Sequence, residues 1–291
     1  MIRAADVVID FLEAEQARGV THVYLDEGAR DGLRAWYRRR QSGSATRVAS
    51  SPEAVASPAP RAAQASQMTV DPAPPMMPLI AEGASKAECL ASLRQQAAAC
   101  APARALGTLR EKLVFAAGNP DARLMLVGEA PGHEEEKKGE PFVGPAGQKL
   151  DEILKAMGLS RADVYLSYIL KFRTATARQT TNNRKPSPAE MEVCLPFIRA
   201  EISIVRPACI IALGGSAAEG LLGLSGDVVD MRGSWHAYEG IPVRVTYPPA
   251  YLLQTRESLP VKRQVWEDML AVMESLGMPV SERQRAFFPL G

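Results

Sequence analysis

The sequence predicts an α/β fold in which helices cover both faces of a parallel sheet. Four short runs are β-rich or fully apolar and are bounded by glycine, proline or charged turns: Leu124–Val127, Val164–Ile169, Cys209–Leu213 and Val243–Thr246. Amphipathic helical periods separate them, namely Gly147–Met157, Ala189–Ser203 and Ser216–Leu222. Alternation of strands and helices is typical of a parallel sheet that is buried on both sides. Since such sheets bind ligands at the carboxyl ends of their strands, functional residues are expected there.

Composition and charge restrict the class of protein. Hydrophobic residues make up 46% of the 291 residues and charged residues 23%, as in soluble globular proteins. The net charge is only +1, so a nucleic-acid interface has to be a local basic patch. No apolar run approaches the roughly 20 residues that span a bilayer, which argues against a membrane protein. Asp6 and Asp10 interrupt the first apolar stretch and argue against a secretory signal, so a cytoplasmic protein is predicted.

The chain divides into three segments by composition. Residues 1–40 are predicted to form a small α/β segment that serves as a tether or as a site for a protein partner. Residues 41–84 are rich in alanine, proline and serine and cannot bury enough apolar surface to fold, so they are predicted to be a disordered linker. Residues 85–280 form the main domain, which opens with a helix over Lys86–Cys100. The protein is expected to be a monomer.

A tight turn follows the first predicted strand. Gly128, Glu129 and Ala130 begin the pentapeptide GEAPG, whose glycines and proline favour a rigid turn that other groups can approach closely. The carboxylate of Glu129 would then lie at a strand end, where it can act as a general base or position a water molecule. Alternatively, Glu129 caps the helix that follows through the helix dipole. The residues alone do not decide between these readings.

A second loop, GEPFVGPAG, carries an aromatic side chain among glycines and prolines. Phe142 could offer a stacking face to a nucleobase, an interaction worth about 1–3 kcal/mol in nucleic-acid sites. The alternative is that Phe142 simply packs against its own domain.

Several blocks, in one order between about Leu113 and Met269, resemble the family 4 uracil-DNA glycosylases, the thermostable type, and related phage-polymerase-associated domains. They read GEAPG, GEPFVGPAGQKLDEIL, GLSRADVYL, NRKP, CLPF, IALG and TYPPAYLL. The resemblance implies a three-layer α/β/α fold with a central four-stranded parallel sheet. It also implies base-excision repair, in which the N-glycosidic bond of uracil or another deaminated base is hydrolysed. Glu129 would organise the water and Phe142 would stack on the base, with Gly128 and Ala130 beside it.

Two positions depart from the family pattern in the predicted base-binding set. Tyr168 stands where the family has an asparagine that recognises the uracil edge, and a phenol offers only one hydroxyl. Pro248 stands where the family has a histidine that stabilises the leaving base. Proline has no donor, and loss of one such donor typically costs on the order of 10²–10³ in rate. His133 or His236 could supply the missing donor, and a surface position is the alternative for both.

The family also holds a [4Fe–4S] cluster through four cysteine thiolates. Cys194 matches the last of these positions and Cys100 lies near the first. The remaining positions correspond to Phe172 and to Ala103 or Arg104, so only two of the four cysteines are present. We therefore expect no bound cluster, with Cys100 and Cys194 as remnants of the site and Phe172 filling the space.

DNA is the expected partner, single- or double-stranded and containing a damaged base. The stretch Lys171–Pro186 is basic and polar, which suits phosphate contact, although a solvated loop is the alternative. The predicted phosphate contacts are Lys171, Arg173, Arg184 and Lys185. In the family the turn that corresponds to Tyr251, Leu252 and Leu253 inserts into the DNA, as apolar wedges do in other proteins. The same residues could equally start a buried helix.

The sequence favours the first of two functions, and the second is its alternative. In the first, the protein is a glycosylase that uses Glu129 and Phe142. In the second, it is a catalytically weakened DNA-binding module of the same fold, which the replacements at Tyr168 and Pro248 favour.

Overall fold

The computed structural model describes residues 79–176, 179–181, 183–255 and 258–288. The predicted segment 1–40 and all of the predicted linker before residue 79 lie outside the described residues. Residues 79–83 carry neither helix nor strand, and the first helix among the described residues begins at Lys86 as expected. No helix in the described part of the chain has both the length and the apolar character needed to cross a bilayer.

The central sheet has six strands in the order β2-β4-β3-β6-β8-β7, and β1 and β5 form a separate antiparallel pair. The bounds are β1 Leu109–Leu113, β2 Ala117–Gly118, β3 Leu124–Gly128, β4 Val164–Tyr168, β5 Phe172–Thr174, β6 Cys209–Leu213, β7 Trp235–Tyr238 and β8 Ile241–Thr246. The four inner strands β4, β3, β6 and β8 are mutually parallel. They are the four strands that the sequence predicted, and antiparallel β2 and β7 flank them.

Helices cover both faces of this sheet. They are α1 Lys86–Ala98, α2 Ala101–Ala105, α3 His133–Lys138, α4 Pro145–Met157, α5 Pro188–Val205, α6 Gly215–Leu222, α7 Val228–Met231, α8 Pro249–Gln254, α9 Leu259–Ser275 and α10 Glu282–Arg285, with a 3₁₀ turn at Arg161–Asp163. Alternate residues of β3 point to opposite sides, so that Met125 packs with α1, α5 and α6, and Leu126 packs with α4 and α9. The three-layer α/β/α fold is therefore confirmed.

Local sequence explains most element boundaries. Helix α4 begins earlier than predicted, at Pro145, because proline suits the first helical position. Strand β8 begins at Ile241, before the predicted Val243, because it pairs with β7 in a hairpin. The turn of this hairpin, Glu239-Gly240, has positive φ at both residues (47° and 84°), which matches the twist of paired strands.

Candidate active site at the carboxyl edge of the sheet

The parallel register brings the predicted site residues to one edge of the sheet. Gly128, the last residue of β3, lies opposite Tyr168, the last residue of β4. Strands β6 and β8 end beside them, and the chain continues from β6 into Gly214 and from β8 towards Pro248. An added Cβ at Gly214 would lie 3.4 Å from the Pro248 ring, so these two strand ends are in contact.

Glu129 is half-buried and held by a serine from another strand end. The Ser216 hydroxyl, in the first turn of α6, donates a hydrogen bond of 2.5 Å to the Glu129 carboxylate. Burial raises the pKa of Glu129, while the Ser216 hydrogen bond and the charge of Lys185 act to lower it. No contact among the described residues supports the alternative reading of Glu129 as a helix cap, because the N–H of Gly132, the N-cap residue of α3, donates to Glu135 and not to Glu129. The carboxylate of Glu129 is thus oriented at the strand end.

The two loops of the site are joined by one buried carboxylate. Glu135, only 7% exposed, accepts the backbone N–H of Gly132 at 3.1 Å from the first loop. Its other oxygen accepts the N–H groups of Val143 and Gly144 from the second loop, at 3.1 and 2.9 Å. Because a carboxylate that accepts several N–H groups makes strong hydrogen bonds, Glu135 fixes the distance between the GEAPG and PFVG turns.

The turn at Phe142 is tight and strained. Phe142 has a φ of 54°, in the left-handed region that non-glycine residues rarely adopt and that costs on the order of 1–3 kcal/mol. The Arg161 guanidinium donates to the carbonyl oxygens of Pro141 and Phe142 and holds this conformation. Gly147 completes the turn, since a Cβ there would lie 1.7 Å from the Phe142 carbonyl oxygen. Only glycine fits at that position.

Phe142 and Tyr168, each predicted to contact a base, contact each other. Their ring centroids are 4.5 Å apart at an interplanar angle of 32°, a pairing worth about 0.5–1.5 kcal/mol beyond area burial. The Phe142 N–H donates to the Tyr168 hydroxyl oxygen at 2.9 Å. Tyr168 is 4% exposed, and burial raises its pKa well above the ordinary value. The tyrosine is therefore a neutral, buried neighbour of Phe142.

Pro248 begins α8 as its N-cap, half-buried, and brings no donor to the site. The two histidines named as possible substitutes make other contacts. His236 lies on β7, where its Nε2 is 2.8 Å from the carbonyl oxygen of Met231. His133 lies at the start of α3 with its Nδ1 3.5 Å from an Arg173 guanidinium nitrogen.

The predicted DNA wedge divides into three different environments. Tyr251 stacks on Tyr247 with centroids 4.9 Å apart. Leu252 is 3% exposed and packs in the apolar cluster under α4 and α9, so the prediction that it enters DNA is wrong for this conformation. Leu253, next in α8, is 40% exposed and points away from the core. Leu253 is therefore the exposed leucine of this turn.

Two predicted phosphate contacts are buried instead. Lys171 is 0% exposed and pairs with Glu201 at 2.5 Å. Arg173 is 1% exposed and donates to Glu136 at 3.1 Å and to Asn183 at 2.8 Å. Since neither charge reaches the surface, the prediction that they contact phosphates is wrong for this conformation. Both cations instead form ion pairs inside the domain.

The other two predicted basic contacts are accessible. The Arg184 side chain is 34% exposed and forms an ion pair with buried Glu190 at 2.5 Å. Although burial by itself raises the pKa of Glu190, hydrogen bonds led by that from Arg184 lower it to about 2. The Lys185 side chain is 65% exposed and lies 2.9 Å from Glu219. Lys185 thus combines exposure with proximity to Glu129.

The residues at the family's cluster positions lie together in the core. Cys100, Ala103, Phe172 and Cys194 all belong to the apolar cluster between α1, α5 and the sheet, and each is at most 6% exposed. Burial raises the pKa of the Cys194 thiol to about 11 and also raises that of Cys100. Within the described ranges, no three or more His, Cys, Asp or Glu side chains are grouped to hold a metal. These residues do not fit a four-thiolate cluster.

Three residues of the site were missed by sequence reasoning. Glu135 could have been found, because it stands three residues after the helix-starting Gly132, where capping glutamates occur. Ser216 and Arg161 carry no local signal, since their partners Glu129 and Phe142 are remote in sequence.

Comparison with known proteins agrees with this architecture. A family model described as the uracil DNA glycosylase superfamily matches residues 115–270. The chain belongs to this superfamily. A type-4 uracil-DNA glycosylase of Thermotoga maritima is 39% identical over 164 residues, which cover 55% of this chain and 81% of the relative. The type-4 enzyme of Pyrobaculum aerophilum is 37% identical over 155 residues, 50% of this chain and 75% of the relative.

The superfamily resemblance extends to a phage protein. A DNA polymerase of Bacillus phage SP01 is 31% identical over 140 residues, which cover 47% of this chain but 14% of the polymerase. The similarity to type-4 glycosylases and to a phage polymerase that the sequence blocks indicated is thereby confirmed.

Proposed function

We propose that this superfamily member is a DNA glycosylase of base-excision repair that hydrolyses the N-glycosidic bond of uracil or another deaminated base. The observation that carries the proposal is the Glu129 carboxylate, held by Ser216 at the edge of the sheet where α/β folds bind ligands. The names of the type-4 relatives support the same reaction.

In the proposed reaction, the nucleotide is extruded from the DNA before its bond is broken. Glu129 in its carboxylate form accepts a hydrogen bond from a water molecule and directs the water oxygen towards the sugar carbon. The new carbon–oxygen bond replaces the carbon–nitrogen bond, whose electron pair leaves with the base. The water proton passes to Glu129 and finally to the base. Since Pro248 supplies no donor for the departing base, excision is expected to be slow, on the order of 10²–10³ below a site with that donor.

Exposed groups around Glu129 are proposed to contact DNA. Lys185 and the exposed part of Arg184 would contact phosphates of single- or double-stranded DNA, and Leu253 would fill the space of the extruded nucleotide. We also propose a cytoplasmic monomer without an iron–sulfur cluster, in which residues 1–40 contact a protein partner.

A second candidate is the DNA-binding module without efficient catalysis. The contact between the rings of Tyr168 and Phe142 favours it, because an extruded base that stacks on Phe142 would have to displace Tyr168 or share the space with it. The absence of a donor in the Pro248 side chain favours it as well.

Glu129→Gln tests the proposed reaction. We expect the native protein to form abasic sites in oligonucleotides that contain uracil, hypoxanthine or xanthine, measured by alkaline cleavage of single-stranded and duplex substrates. Because glutamine cannot take a proton, the variant is expected to lose about 10²–10⁴-fold in rate. Glu140→Gln, at an exposed glutamate of the neighbouring loop, serves as the matched control and should keep the native rate. If the native protein cleaves none of these substrates, the glycosylase proposal is overturned and the DNA-binding module is the remaining candidate.

A further inference from the structure

The position beside Phe142 is filled by the protein itself. The Tyr168 ring lies 4.5 Å from the Phe142 ring, centroid to centroid. Its hydroxyl oxygen accepts the Phe142 N–H at 2.9 Å, as a carbonyl oxygen of a base could. The backbone of Gly128 closes the same space, since a Cβ there would lie 2.8 Å from the Tyr168 ring and 2.9 Å from the Phe142 ring. The Tyr168 side chain therefore provides both a ring against Phe142 and an acceptor for the Phe142 N–H.

The tyrosine is held firmly in this place. Its backbone is paired with Gly128 in the parallel ladder of β3 and β4, and its carbonyl oxygen accepts a hydrogen bond of 2.9 Å from the Lys171 ammonium. Only 4% of Tyr168 is exposed. Moving the ring out would leave the buried Phe142 N–H without its acceptor, which is unfavourable in a site closed to water. A base that enters has to compensate for that loss.

We propose that the preferred DNA ligand of this site is an abasic position, a deoxyribose phosphate without its base; the inference rests on the proposed binding of DNA at this edge. A baseless sugar needs no room beside Phe142, so Tyr168 keeps all its contacts. A nucleotide with a base has to displace the ring first. The exposed Leu253 suits the same ligand, because an apolar side chain can enter the gap that a missing base leaves in a duplex.

The proposal is tested by fluorescence anisotropy with the full chain at one fixed salt concentration, since affinity for DNA depends strongly on salt. Three duplexes of identical sequence carry one different nucleotide opposite guanine. The first has tetrahydrofuran, a stable abasic analogue, the second a non-cleavable uracil nucleotide fluorinated on the sugar, and the third cytosine. We expect the abasic duplex to bind about tenfold more tightly than the uracil duplex. Equal affinity for these two duplexes overturns the proposal.

Two variants of the same residue separate the ring from other effects. Tyr168→Phe keeps the ring on Phe142 and should keep the abasic preference. Tyr168→Asn empties the space, so the affinity for the uracil duplex should rise until the preference disappears. Thermal unfolding of both variants verifies that they fold. A preference that survives in Tyr168→Asn overturns the proposal, because the ring would not be its cause.

The outcome is independent of the excision assay. Excision of uracil by a protein that prefers the uracil duplex leaves the glycosylase proposal standing and overturns this one. An abasic preference without excision on any substrate supports this inference and overturns the glycosylase proposal.

Discussion

At Glu129, burial and hydrogen bonding act on the carboxyl pKa in opposite directions. Burial raises the pKa, whereas the hydroxyl of Ser216 donates to the ionised form and lowers it. The charge of Lys185 also lowers the pKa, and that of Glu219 raises it. The net shift is upward, so a smaller fraction of Glu129 is ionised at a given acidic pH than for a solvated glutamate. The activity of a site that needs the carboxylate should therefore rise with pH through the raised pKa.

Ser216→Ala should move the acidic side of the pH–activity profile to higher pH. The substitution removes the largest influence that lowers the pKa of Glu129, so the carboxylate forms only at higher pH. The measurement is the rate of abasic-site formation as a function of pH under single-turnover conditions. Ser216→Thr keeps the hydroxyl and should keep the native profile. An acidic limb that is unchanged in the alanine variant would contradict a positioning role for Ser216.

Among the secondary-structure elements, the segment from Lys171 to the start of α5 contains both buried and exposed basic residues. Lys171, just before β5, and Arg173, within it, point into the domain and meet carboxylates there. Lys185, near the start of α5, points outward. All three residues of β5 are buried, so the cations in and next to this strand form ion pairs inside the domain. The exposed positive charge of Lys185 lies in the segment that follows.

Lys171→Ala should destabilise the domain by about 3–5 kcal/mol, because it leaves the fully buried Glu201 without its counterion. The measurement is the free energy of unfolding in urea. The double variant Lys171→Met/Glu201→Gln removes both charges and should recover part of the loss.

Lys185→Ala should leave the free energy of unfolding unchanged and reduce the slope of DNA affinity against salt concentration by about one. If Lys171→Ala lowered the salt slope and left the free energy of unfolding unchanged, Lys171 and not Lys185 would be the residue that contacts DNA.

Across the domain as a whole, two clusters of buried apolar side chains pack on opposite faces of the sheet. The cluster under α1 and α5 contains Cys100, Cys194 and Phe172 as ordinary packing residues. Raised thiol pKa values at both cysteines keep them protonated, whereas iron binds thiolates.

Protein purified without oxygen should therefore contain no stoichiometric iron or acid-labile sulfide. Colorimetric iron and sulfide assays on the full chain check this expectation. The variant Ala103→Cys/Phe172→Cys supplies four candidate thiols and serves as the comparison, with iron uptake expected only there. Four irons per native chain would show that other side chains complete the ligand set.

The order and type of the main helices and strands follow from local sequence patterns alone. Strands β3, β4 and β6 were predictable because residues buried on both faces of a sheet form short, continuous apolar runs. Glu129 was placed at a strand end because turn residues follow β3 directly. The short or edge strands β1, β2, β5 and β7 were not predicted, since they are only two to five residues long and no continuous apolar run marks them.

Which side chains contact each other across the site depends on how distant segments pack in the folded domain. Ser216 lies 87 positions from Glu129 in the chain, and Tyr168 lies 26 positions from Phe142. Local patterns report whether a residue favours a helix, a strand or a turn, but not which distant segment packs against it. A lysine in a basic stretch therefore looked exposed, although Lys171 pairs with a carboxylate on a remote helix. The occupant of the space beside Phe142 was decided in the same way, by the register of two parallel strands.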